Sequence, residues 1–537
     1  MGTPSLIDPV EGAAGLQRKI GWGGAFWVAS GVPALVLVSI GAIAATVGKP
    51  AYVVWMVSML FGFLQAFTYA EIAGLFPNKS GGVSVYGAIA WVRYAKLIAP
   101  VSVWCNWLAW SPVLAICSGL GAGYILSAIY APDAAINTWQ ITLVDLGWIK
   151  EGLTLRINAT FVVAAALLLA VFAVQHRGVL RAAKVQMILG VAALVPLLLV
   201  SLTPLVGGNL PADHFLPFVP IAKDAAGKTI DGVWNMAGIT LVAGGLFIAA
   251  WSTYAFETAV CYTREFKDPA SDTFKAIFFS GLLCIFVYSL VPLSFQAALT
   301  LEGLLTPDIY SGAGVAKALA QMVGGNALVE SVLVVMMILA LLLSVMTAMA
   351  GSARTLYQAS VDGWLPKYLS HLNANAAPTH AMWTDLAFNM FLLLLSDYVF
   401  VLAISNVSYI IFNFFNLNAG WIHRLDRAGW ERPYRAPAWL IAIGTLLAFV
   451  NLALLGMGAD VWGAGTLVSG LVCAALIIPI FLYRHYVTDQ GRFPETMLED
   501  MNLKGGQQVE QRAGALAYAA LAAGAVVIAA SHTVAVY

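Results

Sequence analysis

Charge is what this sequence has least of. Only 10% of its 537 residues are Asp, Glu, Lys or Arg, against about 25% in a soluble domain. Hydrophobic residues make up 61%. That balance excludes a soluble globular fold and leaves an all-α polytopic membrane protein. The formal net charge is zero, which gives no basis for a nucleic-acid partner. Cysteine is scarce too. Cys105, Cys117, Cys261, Cys284 and Cys473 all lie in apolar runs, without paired or metal-ligand spacing, so neither a disulfide framework nor a metal site is expected. No Gly-x-x-x-x-Gly-Lys-Ser/Thr motif occurs, which argues against ATP-driven work. No cofactor is called for, and no catalytic constellation marks an enzyme. The first apolar run is too long for a signal h-region, so no cleavable signal peptide is expected.

Long hydrophobic runs are what the sequence does have. A bilayer crossing takes about 20 apolar residues. Runs almost free of charge fall at 22–48, 51–75, 97–130, 156–175, 182–206, 235–263, 275–300, 328–353, 381–396, 398–422, 437–459, 462–483 and 513–535. These are read as twelve core spans and an Ala-rich thirteenth. With the N-terminus in the cytoplasm, alternate crossing puts 21 of the 27 Lys and Arg on the cytoplasmic side, as the positive-inside rule requires. The C-terminus then falls outside. The expected organisation is a cytoplasmic N-terminus (1–21), spans 1–5 (22–206), spans 6–10 (235–423), spans 11–12 (437–485), a cytoplasmic linker (486–512) and span 13 (513–537).

Spans 1 and 6 carry mid-run interruptions, and each begins a set of five. Five is odd, so the second set crosses in the opposite sense. This predicts a five-plus-five inverted repeat, whose broken helices mark a binding site near mid-membrane. In span 1 the interruption is Ala29-Ser30-Gly31-Val32-Pro33. Proline removes a donor and pushes its predecessor away from helix. Glycine lets the backbone open, and the freed N–H groups of the next half-helix suit a carboxylate. A plain proline kink is the structural alternative. In span 6 the stretch is Trp251-Ser252-Thr253-Tyr254-Ala255-Phe256-Glu257. It has no Gly or Pro, so the break is weaker on sequence. Trp251 and Tyr254 would shape and gate the pocket. A carboxylate in an apolar run is expensive and marks a functional position. Glu257 is expected to bind an ammonium, carry a proton or pair structurally. Ser344 and Thr347 share one face of span 8 and are candidate hydroxyl ligands for a coupling ion beside span 1. Ordinary interhelical hydrogen bonding is the alternative for them. Glu71 and Asp385, both placed towards the cytoplasm, are expected to be structural partners of nearby Lys or Arg.

Five segments in order resemble the amino acid–polyamine–organocation (APC) superfamily of secondary transporters, over roughly residues 20 to 485. They are Ser30-Gly31-Val32; Tyr69-Ala70-Glu71-Ile72 with Phe76-Pro77 and Gly81-Gly82-Val83-Ser84-Val85-Tyr86; Trp251 to Glu257 with Glu265-Phe266-Lys267-Asp268-Pro269; Gly351-Ser352-Ala353-Arg354 with Asp362-Gly363-Trp364-Leu365-Pro366; and Arg432-Pro433-Tyr434-Arg435-Ala436-Pro437. The resemblance implies the five-plus-five fold and amino acid uptake or exchange. It would set a substrate carboxylate against Ser30, Gly31 and Val32, and the amine against backbone at Trp251 to Tyr254. Two features depart from the pattern. Pro33 follows directly on the small-residue motif. The lysine that some proton-coupled members carry in helix 5 is missing near Ala192 and Ala193.

The expectation is therefore an amino acid permease of the plasma (or inner) membrane. It would work by alternating access, as an H+- or Na+-coupled symporter or an exchanger. A polyamine or cationic-amine permease is the nearest alternative, and a non-transporting amino acid sensor the next. The sequence names neither the substrate nor the oligomeric state.

Overall fold

The computed structural model describes residues 16–131, 133–208, 210–224, 226–501 and 511–537. Residues 1–15 of the expected N-terminal segment, and Lys504 of the cytoplasmic charge count, lie outside them. Among the described residues, 11 helices are long and apolar enough to cross a bilayer. They fall on spans 1, 2, 3, 5, 6, 7, 8, 10, 11, 12 and 13. Spans 4 and 9 are helical but shorter, with 17 residues at Ala159–Gln175 and 14 at Thr379–Leu392.

Several boundaries differ from expectation for physical reasons. The start of span 4 is not helical: residues 154–158 pair as a strand with Gln140–Asp145, and Asn158 then caps the helix at Phe161 N–H. Span 8 runs on to Val361, so the segment Gly351 to Arg354 lies inside the helix. There Arg354 is buried but paired with Glu265 at 2.5 and 3.1 Å, so the helix can carry a cation past the apolar run. Span 12 begins at Thr466 and ends in a π-turn, Tyr483–Thr488. Span 3 is interrupted at Ser111-Pro112, between Ile98–Trp110 and Val113–Ile129.

The ion pairs fall into two groups. Lys79–Asp362, Lys79–Asp500, Arg354–Glu265, Arg424–Glu71, Arg432–Glu71, Lys367–Asp489 and Arg484–Asp489 all join residues assigned to the cytoplasmic side. Lys49–Asp231 and Lys150–Asp397 join residues assigned to the other side. None of these pairs crosses between the sets. Burial alone would lower the Lys79 pKa, but Asp362 and Asp500 outweigh it and hold the ammonium above its ordinary 10.5. The chain before span 1 is fixed at the same end, where Lys19 and Ile20 N–H donate to Glu265 O and Lys267 N–H donates to Ile20 O.

Glu71 has the structural role expected of it. Its carboxylate takes Arg424 at 2.9 and 2.6 Å, Arg432 at 3.1 Å and the Ala436 N–H at 2.8 Å. This ties span 2 to span 10 and to the Arg432–Pro437 segment. Removing one member of a buried pair strands the other charge, so Glu71→Ala should destabilise by about 3–5 kcal/mol. A melting curve in detergent that matched the native protein would contradict this.

Candidate functional site

Span 1 breaks where Gly31 and Pro33 stand. Helix Trp22–Val28 ends, Ala29 to Val32 form turns, and Pro33–Leu35 is a short 3-10 turn leading into Val36–Val47. The opened backbone is capped by side chains from two other spans. Thr347 Oγ donates to Val28 O at 2.7 Å and accepts Gly31 N–H at 3.1 Å. Ser344 Oγ donates to Gly31 O at 2.9 Å. Gln186, from span 5, donates its amide to Val28 O at 3.1 Å and Thr347 Oγ at 3.2 Å. Ser30 turns back on its own helix, Oγ to Trp27 O at 2.6 Å. A Cβ on Gly31 would meet Leu343 O and Thr347 Oγ at 2.5 Å, so glycine is needed here for close approach to span 8.

Span 6 does not unwind. Met236–Thr253 is α-helix, and Ala255–Glu265 then tightens into a 3-10 helix. Such runs rarely exceed 3–4 residues elsewhere, so the pitch change is the break. Ala255, lacking the freedom of glycine, is consistent with tightening rather than opening. The two interruptions meet at Tyr288 of span 7. Its hydroxyl lies 2.6 Å from Val32 O and 3.2 Å from Ser252 O, and its single proton serves one at a time.

The remaining span 6 side chains diverge. Trp251 Nε1 donates to Ser405 Oγ at 2.9 Å and lies 3.2 Å from Ala109 O, facing spans 10 and 3. Glu257 Oε1 accepts Trp110 Nε1 at 2.9 Å and Tyr409 OH at 3.4 Å, while Oε2 makes no close hydrogen bond among the described residues. Thr253 and Tyr254 face the other way. Thr253 shares a 2.7 Å hydrogen bond with Ser58, and Tyr254 OH donates to Asn451 at 2.9 Å. Ser252 Oγ returns to Ala249 O at 3.2 Å. Thus Ala29 to Pro33, Ser252, Ser344 and Thr347 gather around one opened backbone. Trp251 and Glu257 form a second wall with spans 3 and 10, and Thr253 and Tyr254 belong to the contact with spans 2 and 11. All of these residues are buried, Glu257 to 1% exposure, so they are shielded from solvent here. A cavity of about 390 Å³ lies elsewhere, between spans 3, 4, 9 and 10, beside Gly119, Tyr124, Arg156 and Tyr398.

Gln186, Tyr288, Ser405, Trp110 and Tyr409 complete this arrangement and are not among the residues singled out from sequence. A signal existed for some. Tyr288 is the one tyrosine of its apolar run, and Ser111-Pro112 repeats in span 3 the mid-run proline of span 1. The Asp385 expectation needs correcting. It is fully buried, but it meets neutral donors rather than a Lys or Arg: Trp107 Nε1 at 2.9 Å, Ser111 Oγ at 2.5 Å and Ser352 Oγ at 2.5 Å.

A helical bundle with interruptions in spans 1, 3 and 6, the first and last bridged by Tyr288, is a polytopic membrane protein. The chain belongs to the amino acid permease family of the APC superfamily, whose sequence pattern matches residues 20–478. It is 23% identical over 205 residues to the branched-chain amino acid permease BcaP of Lactococcus lactis subsp. cremoris (strain MG1363). That stretch covers 38% of this chain and 40% of the relative, so the match spans well under half of the relative's length.

Proposed function

We propose that the protein is a secondary active transporter that carries neutral aliphatic amino acids across the plasma membrane by alternating access. Its N-terminus would be cytoplasmic, and 22–206 and 235–423 would form the inverted repeats within twelve core spans and a thirteenth. The observation that carries the proposal is the Tyr288 hydroxyl, set between carbonyls of the two interrupted spans. A ligand entering there would compete with capping side chains for backbone groups that are already open. Substrate carboxylate would exchange with Thr347 at the Gly31 N–H, and substrate amine would meet Val32 and Ser252 carbonyls. The aliphatic choice rests on two supports. The relative matched is a branched-chain permease. Of the buried acids in spans 2, 6 and 9, Glu71 is paired with two arginines and Asp385 is held by three donors, which leaves Glu257 to face a cationic side chain.

The same geometry favours a proton over sodium as the coupling ion. The oxygens a sodium ion would need are Val28 O, Gly31 O, Ser344 Oγ and Thr347 Oγ. Gln186 already sends its amide donor to two of them. A donor pointed into a cluster of oxygens does there what a cation would do. Uptake driven by a pH gradient should therefore be unchanged when sodium is replaced by choline, and a strict sodium requirement would contradict this. Substrate class is read most directly by thermal shift against a panel of amino acids and amines, since a ligand of the folded state raises its melting temperature. Leucine, isoleucine and valine are expected to stabilise; a response confined to polyamines or arginine would replace the reading.

A further inference from the structure

We infer that Asp385, on span 9, is a positioning residue for the substrate site, acting through the interruption in span 3. The inference rests on the transporter reading above. Pro112 has no N–H, so span 3 cannot continue its ladder through Ser111-Pro112, and the groups at the break need partners from elsewhere. Span 9 supplies them. Asp385 Oδ1 accepts Ser111 Oγ at 2.5 Å and Trp107 Nε1 at 2.9 Å. One turn on, Asn389 donates to Ser111 Oγ at 2.8 Å and accepts the Ala115 N–H at 3.1 Å. It thus caps the second half of span 3 from a neighbouring helix.

The opposite face of the same break meets the site. Trp110, the last residue before the interruption, donates to Glu257 at 2.9 Å. Ala109 O faces Trp251 Nε1 at 3.2 Å and Ser405 Oγ at 3.5 Å. Span 3 is therefore held between two buried carboxylates, Asp385 behind and Glu257 in front. Shifting the break by a fraction of an ångström moves Trp110 and the Ala109 carbonyl together. The second oxygen, Asp385 Oδ2, takes Ser352 Oγ of span 8 at 2.5 Å, a contact that leads away from the break. This division makes the role testable, because the two oxygens hold different helices.

The experiment is leucine uptake by purified protein in liposomes, with KM, maximal rate and melting temperature measured for four variants. Ser111→Ala and Asp385→Ala should raise KM about tenfold, the scale of one or two lost hydrogen bonds carried into binding, with the maximal rate little changed. Asp385→Asn should rescue KM, because its amide oxygen can keep Ser111 and Trp107 while Ser352 rotates to accept. Ser352→Ala should leave KM as it is. If Asp385→Ala fails to fold, Ser111→Ala and Asp385→Asn still decide. Equal melting losses in Ser111→Ala and Ser352→Ala with KM unmoved would overturn the inference and make Asp385 simple glue. Loss of transport in Asp385→Asn would overturn it too, because the charge itself would then be needed. Native protein that takes up no leucine would instead sink the transporter reading for that substrate, and is distinguishable on that ground.

Discussion

Gly31→Leu should abolish transport. The glycine lies where span 1 touches span 8, and a Cβ there would stand 2.5 Å from Leu343 O and Thr347 Oγ and 2.8 Å from Ser344 Cα. Two of these three neighbours are backbone atoms of a 35-residue helix, so relief must come from span 1 moving away. Movement breaks the Gly31 N–H to Thr347, Ser344 to Gly31 O and Thr347 to Val28 O bonds at once. The opened backbone would lose the caps that define it, and the added side chain would occupy the volume beside it. Uptake should fall by about a hundredfold or more, as misplacing reacting or binding groups by an ångström does elsewhere. The bundle should persist, since the contacts of spans 2 to 5 and 7 to 13 with one another do not pass through this position. Uptake rate, size-exclusion profile and melting temperature, measured together, check the prediction. Wild-type uptake would remove span 1 from the site.

Glu257→Gln should keep counterflow but lose accumulation driven by a pH gradient. The amide oxygen can take the place of Oε1 and keep Trp110 and Tyr409. The amide nitrogen falls where Oε2 makes no close hydrogen bond among the described residues. The wall therefore keeps its shape, at a cost of about 1–3 kcal/mol for one unpaired buried donor. What the variant lacks is the ability to take up and release a proton. An ionised Glu257 in this arrangement would be a buried charge with no ion pair among the described residues, a costly state in a membrane domain. Proton coupling would resolve that cost, because the acid could be neutral when the site is closed and ionised when water reaches it. Loss of cationic substrates with neutral ones retained would instead make Glu257 a side-chain selector. Unchanged selectivity, pH dependence and accumulation would make it a structural group.

The sequence is most legible where one residue type acts alone. Long uncharged runs mark the spans, and Gly31 with Pro33 marks the break in span 1. The pairing of Glu71 with arginines follows from its place at the charged end of span 2. Legibility drops where the outcome depends on a partner distant in sequence. Span 8 outlasts its apolar run because Glu265 meets Arg354, 89 residues away. Gln186 and Tyr288 lie in largely apolar helices among other polar residues, and only packing decides that these two point at span 1. Ala255 is intermediate. The absence of Gly or Pro correctly weakens the case for an open break, but nothing local predicts a 3-10 segment of 11 residues. Asp385 shows the limit most clearly. A carboxylate near a charged membrane face suggests a cation, and the bundle supplies two hydroxyls and an indole instead.

The central claim is that the interrupted spans form an alternating-access site for an amino acid. Counterflow tests it most directly, because exchange needs the loaded site to face both sides in turn and needs no coupling ion. Liposomes containing the purified protein would be loaded with unlabelled leucine and diluted into trace labelled leucine. The account predicts a transient, saturable overshoot of label, absent from empty liposomes and from Gly31→Leu. Saturable binding of amino acids with no exchange of label would contradict it, and would make the protein a sensor that holds its ligand without moving it.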